Sequence, residues 1–270
     1  MNVNRFGVAL ILTAAALTGI GCQSLDEQFL DAARVGNVVK MEQLEAKGAD
    51  VNARSTGGAT PMFVAAGNGH LHAMKWLNDR GANVHAKDND DWAPMHAAAF
   101  FGRLDVMRWL HEQGADIHAG DKRGLTPMHL TANNGYLDVM RWLHKQGADI
   151  EPRDRDGQTP MHLAAVRDSL MLELWFVKQW KHRHPMDENS TNNLNVLEWL
   201  KRQGADVNAK DKNGRTPLAS VVAAKEAETQ IAVRQAFSNN SNMMSLLMLP
   251  AKTSLLDAAR DWLVQNGGTM

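Results

Sequence analysis

Three histidines, His96, His129 and His162, recur 33 residues apart, each two places after a proline. Imidazoles invite a metal or acid–base reading, since the ring titrates near neutrality and ligates transition metals. The spacing points away from both. One histidine per repeated unit sets successive rings a unit apart instead of converging them on one ion, and Phe63 and Ala219 occupy the same place elsewhere. His182 and His184, in WKHRHP, lie outside the repetition, but residues i and i+2 of a helix point to different sides. No HExxH or paired cysteines accompany them, and Cys22 is the only cysteine. Asp50, Asp116, Asp149 and Asp206 are again one per unit, and the chain has neither a Gly-rich phosphate loop nor a serine in a nucleophile elbow. The expectation is a protein with no catalytic residue, no metal and no cofactor, and therefore not an enzyme.

The elements that carry these residues are set by the same period. Pro61, Pro94, Pro127, Pro160 and Pro217 step by 33, 33, 33 and 57, as do the Gly-Ala pairs that begin at Gly48, Gly81, Gly114, Gly147 and Gly204, offset by one unit. Trp76, Trp109, Trp142, Trp199 and Trp262 each precede a leucine. In LTPMHLTANNGYLDVMRWLHKQGADIEPRD, from Leu125, Thr126 and Pro127 read as the cap and first residue of a helix. Leu137, Met140, Trp142 and Leu143 form the apolar side of a second helix, which Gly147 ends. Such a unit cannot bury its apolar side alone, so neighbours must stack.

These residues resemble the ankyrin repeat over nearly everything after residue 24. The resemblance implies an all-α solenoid of six helix-turn-helix repeats with β-hairpin-like fingers, at about 25–54, 55–87, 88–120, 121–153, 154–210 and 211–270. Repeats five and six carry insertions, at about 169–192 and 225–254, whose apolar runs LMLELWFVKQW and MMSLLMLP are expected to pack together as a small helical lobe. The histidines take the family's structural role, making local backbone hydrogen bonds, and the tryptophans are expected to form a core ladder.

The first 21 residues have a secretory layout, with one cation, Arg5, before an apolar run too short to span a bilayer. GIGC, ending at Cys22, resembles the lipobox of bacterial lipoproteins, although Gly19 replaces the usual aliphatic residue. The resemblance implies lipidation of Cys22 and, with Gln23 following, an outer-membrane lipoprotein facing the periplasm; without lipidation the product is soluble in the periplasm. The mature domain then spans 22–270.

A formal net charge of -1 argues against nucleic acid as a partner. The resemblance implies binding of another protein through a concave groove and finger loops, by a monomer acting as a scaffold at the cell envelope. An inhibitor or immunity protein that occludes a toxic enzyme is the alternative. The candidate binding residues depart from polar choices at neighbouring registers: Trp92, Phe100, Phe101 and Leu125 as apolar anchors, rimmed by Lys122, Arg123, Arg153 and Arg155. For Phe100 and Phe101 a packing role in the space beside Gly67 is the competing expectation.

Overall fold

The computed structural model describes residues 24–171, 193–223 and 264–267, so Cys22 and nearly all of both insertions lie outside the described residues. Five helix pairs follow in order: α1 (Leu25–Arg34) with α2 (Val38–Glu45), α3 (Pro61–Asn68) with α4 (Leu71–Asp79), α5 (Pro94–Phe100) with α6 (Leu104–Glu112), α7 (Pro127–Asn134) with α8 (Leu137–Lys145), and α9 (Pro160–Met171) with α10 (Asn193–Arg202). Residues 217–223 are again helical. The described residues contain no β-strand.

Local chemistry fixes the helix starts. Ser24 and Glu27 form a reciprocal capping box at α1, with both bonds 3.1 Å long. Proline opens α3, α5, α7 and α9, where an amide hydrogen would have had no partner. Thr60 accepts from the Phe63 amide at 3.2 Å. Thr126 stands at the cap of α7 as expected, but its hydroxyl and its amide both donate to Nδ1 of His129, at 3.0 and 3.2 Å.

The first helices pack in series, α1 on α3, α3 on α5, α5 on α7 and α7 on α9, and each packs on its own second helix where the chain doubles back. A methionine follows the proline that opens each of α3, α5, α7 and α9, and Met62, Met95, Met128 and Met161 are buried. The second helices supply Met41, Met74, Met107 and Met140 to the same core. These flexible side chains fill the seams between units. Gly67 keeps one seam narrow: a Cβ there would lie 3.2 Å from Cδ2 and Cε2 of Phe101, in the next unit.

The tryptophan ladder takes a form other than indole on indole. Trp109 is buried, whereas Trp76, Trp142 and Trp199 are half-buried against the core. The ring meeting Trp142 is His111 of the preceding unit, edge-on at 5.9 Å, and His144 meets Trp199 at 5.8 Å. Arg80 lies over Trp76 at 3.8 Å from the ring centre.

A candidate protein-binding surface on the finger row

Between helix pairs the chain projects as fingers, each closed by a tight turn around one side chain. Oδ1 of Asp121 accepts the amides of Arg123 and Leu125, both at 2.8 Å, while the Asp121 amide donates to the Leu125 carbonyl at 3.1 Å. Asp88, Asp154 and Asp211 repeat this arrangement in their own fingers. All four aspartates are buried. Burial pushes the Asp88 and Asp154 carboxyls above the usual carboxylate range. At Asp211 burial pushes the same way but is outweighed by hydrogen bonds from the Arg215 amide and guanidinium, and the carboxyl lies below its usual value.

Neighbouring fingers are joined by their backbones. The amides of Asn89, Lys122, Arg155 and Lys212 donate to the carbonyls of Gly57, Asp90, Arg123 and Asp156, at 3.0, 3.0, 2.7 and 2.8 Å. Side chains add links: Arg54 donates to the Lys87 carbonyl, Lys122 to that of Asn89, and Arg153 to those of Gly157 and Lys210 at 3.0 and 2.7 Å. The result is a row of tips held in fixed register. Thr56, Asn89, Lys122, Arg155 and Lys212 share one position along it and all are exposed.

The histidines complete the inner side of each finger. His129 Nδ1 accepts from the Thr126 amide, which leaves the proton on Nε2 to donate to the Gln158 carbonyl of the next unit at 3.1 Å. His162 bridges to Arg215 of the next unit in the same way at 3.0 Å, whereas His96 donates to the Ala119 carbonyl within its own repeat, also at 3.0 Å. Burial lowers the pKa of all three, His129 to about 4. All three are neutral struts, and His129 and His162 tie one repeat to the next. Among the described residues no three potential ligands converge on a site for a metal ion.

The apolar anchors inferred from sequence need correction. Trp92 and Leu125 are 4% and 2% exposed, so neither can reach a partner from this fold. The position before the helix cap points at the next finger, not at solvent. Trp92 donates from Nε1 to Oδ2 of Asp121 in that finger at 2.9 Å, with its ring 5.6 Å from Phe100 and 6.1 Å from His96. Phe100 and Phe101, edge to face at 5.0 Å, are half-buried, and Phe101 lies against Gly67, the packing role expected as their alternative. Of the basic rim, Lys122, Arg153 and Arg155 are exposed and Arg123 is half-buried, with Arg153 engaged in holding two fingers together. Residues 122, 155 and 212 stand together on the row, and Lys212, absent from the candidate set, belongs with them.

Two family models described as ankyrin repeats, one of three copies and one of many, match residues 29–121 and 110–164. The chain belongs to the ankyrin-repeat family. No curated protein matches it. Ankyrin repeats generally mediate protein–protein interaction and are typically non-enzymatic interaction modules.

Proposed function

We propose that this ankyrin-repeat protein is a scaffold of the bacterial cell envelope that binds an acidic face of another protein through its finger row. The observation that carries the reading is the exposed basic ridge of Lys122, Arg155 and Lys212, whose backbones are locked to their neighbours before any partner arrives. Ordering costs already met in the free protein do not have to be met on binding. Asp90 and the positive-φ residue Asp91 give the finger of Asn89 the opposite sign, so the row has a direction and can orient a partner as well as attract it.

The envelope location rests on the lipobox-like GIGC and the secretory layout before it. Among the described residues no helix is long and apolar enough to cross a membrane. Intact mass of the membrane-extracted protein tests acylation of Cys22. Partner capture from envelope extract tests the ridge, comparing the wild type with the triple variant Lys122→Glu, Arg155→Glu, Lys212→Glu. Loss of the captured partner at unchanged thermal stability is expected, together with salt-sensitive capture by the wild type. Equal capture by both proteins would refute the ridge.

A further inference from the structure

Repeat one is the first repeat among the described residues, and its outer side exposes large hydrophobic side chains. Inner repeats show what normally occupies it. The residue 33 places after Val35 and Asn37, respectively, is Asn68 and His70; one repeat further on stand Phe101 and Arg103, then Asn134 and Tyr136. Phe101 packs on Gly67, Asn134 donates to the Phe100 carbonyl at 3.2 Å, His70 donates to the Arg34 carbonyl at 2.9 Å and Arg103 to that of Gly67 at 3.2 Å, each reaching the preceding repeat. At the open end Val35 is 68% exposed. It lines a depression of about 330 Å³ with Gln28, Asp31, Ala32, Asn37 and Lys40. Val39, where later repeats carry His72, Asp105 and Asp138, is 65% exposed beside it. With Leu25, these make up three of the four large hydrophobics exposed among the described residues.

The chain itself says what lies against this end. Only Gln23 separates Cys22 from Ser24, the cap of α1, so a lipid on Cys22 is held within roughly 7 Å of the first helix. That start is rigid, closed by the capping box and by Asp26, whose carboxylate accepts the Asp50 amide at 2.9 Å. Asp31 pairs with Arg34, leaving Lys40 on the same surface as a donor suited to a lipid phosphate. We infer that the open end of repeat one seats on the bilayer surface, with Leu25, Val35 and Val39 at the lipid interface and the repeats stacked away from it. This rests on the lipoprotein reading of Cys22. The finger row then rises from the membrane instead of lying along it, and Lys212 stands farther from the lipid than Asn89.

The lipidated full-length protein supplies its own test, because acylation consumes the only native thiol. An environment-sensitive fluorophore is placed on Gln43→Cys, exposed one turn after Val39, or on Lys210→Cys, and the protein is reconstituted in phosphatidylethanolamine–phosphatidylglycerol vesicles. A blue shift and quenching by lipid-borne quencher are expected at 43 and not at 210. Val35→Asp with Val39→Asp should abolish the signal at 43 while circular dichroism stays unchanged. A lipidated protein whose label at 43 behaves as in water, or whose labels at 43 and 210 are quenched alike, overturns the end-on seat alone. A mass without acyl chains overturns the lipoprotein reading and the seat with it.

Discussion

Acidification should weaken this protein through its histidine struts, and His129 allows the size to be worked out. In the fold Nδ1 of His129 accepts the Thr126 amide, Nε2 donates to the Gln158 carbonyl, and the ring is fully buried. A second proton must go on Nδ1, where it faces a donor, and the resulting charge is cut off from water. The folded pKa of about 4 lies below the ~6.5 of an unfolded histidine, so between these values the unfolded chain binds more protons. The stabilising contribution is therefore complete above about pH 6.5 and is lost as pH falls towards 4. From about pH 7 to about pH 5 the loss from His129 alone is about 2 kcal/mol. His96 and His162 act in the same direction, while the raised carboxyls of Asp88 and Asp154 oppose it by taking up protons in the folded state. The comparison that isolates His129 is urea denaturation at both pH values for the wild type and His129→Asn, which keeps an acceptor near the Nδ1 position but cannot titrate. The variant should be less stable at neutral pH, yet lose about 2 kcal/mol less than the wild type on acidification. Equal losses in the two proteins would refute the assignment of Nδ1 as the buried, proton-free acceptor.

Trp92→Phe should cost about 2 kcal/mol, because the phenyl ring can still meet Phe100 but Oδ2 of the buried Asp121 loses the indole donor. Partner capture should remain intact in this variant when assayed well below its melting temperature; selective loss of capture without destabilisation would return Trp92 to the binding surface. Ala93→Thr should stabilise the protein by about 1 kcal/mol, since a threonine hydroxyl at position 93 would donate to Nδ1 of His96 as those of Thr126 and Thr159 do to His129 and His162. A thermal melt unchanged from wild type would show that the hydroxyl makes no bond to His96 there.

The period made most of the fold legible, because each proline, each Gly-Ala pair and each histidine meets the same surroundings once per unit. What it could not supply was the direction in which a side chain leaves the finger. Trp92 departs from the polar residues of its register, yet that register, which Leu125 shares, is covered, and Gln158 and Arg215 there are also partly covered. An aromatic at that position is packing that happens to vary. The turn aspartates carried a readable signal: Asp88, Asp121, Asp154 and Asp211 each stand six residues before a helix-opening proline, with Ser55 in that place in the second unit. Their burial depends on the hydrogen bonds that close each turn, a property of backbone geometry that residue type alone does not reveal.

The same register explains where the solenoid opens to accept additional chain. Gly36, Gly69, Gly102 and Gly135 follow the first helices of the four compact units with φ between 64° and 81°, a left-handed turn that sends the chain back as the second helix. Residues with a Cβ reach that conformation at a cost, so glycine acts there as a stop. In the fifth unit the equivalent residue is Asp168, and α9 runs on to Met171 where α7 ended at its eighth residue. The sixth unit has Lys225 in the same place. Loss of the glycine and gain of an insertion thus coincide in both long repeats. The residues that close this turn lie at the end of the helix pair opposite the cap and finger, so extra chain can leave there without breaking the amide ladder that fixes Lys122, Arg155 and Lys212. The bond from the Lys212 amide to Asp156 shows the ladder intact across the first insertion, 56 residues of sequence bridged as closely as the 32 of its neighbours.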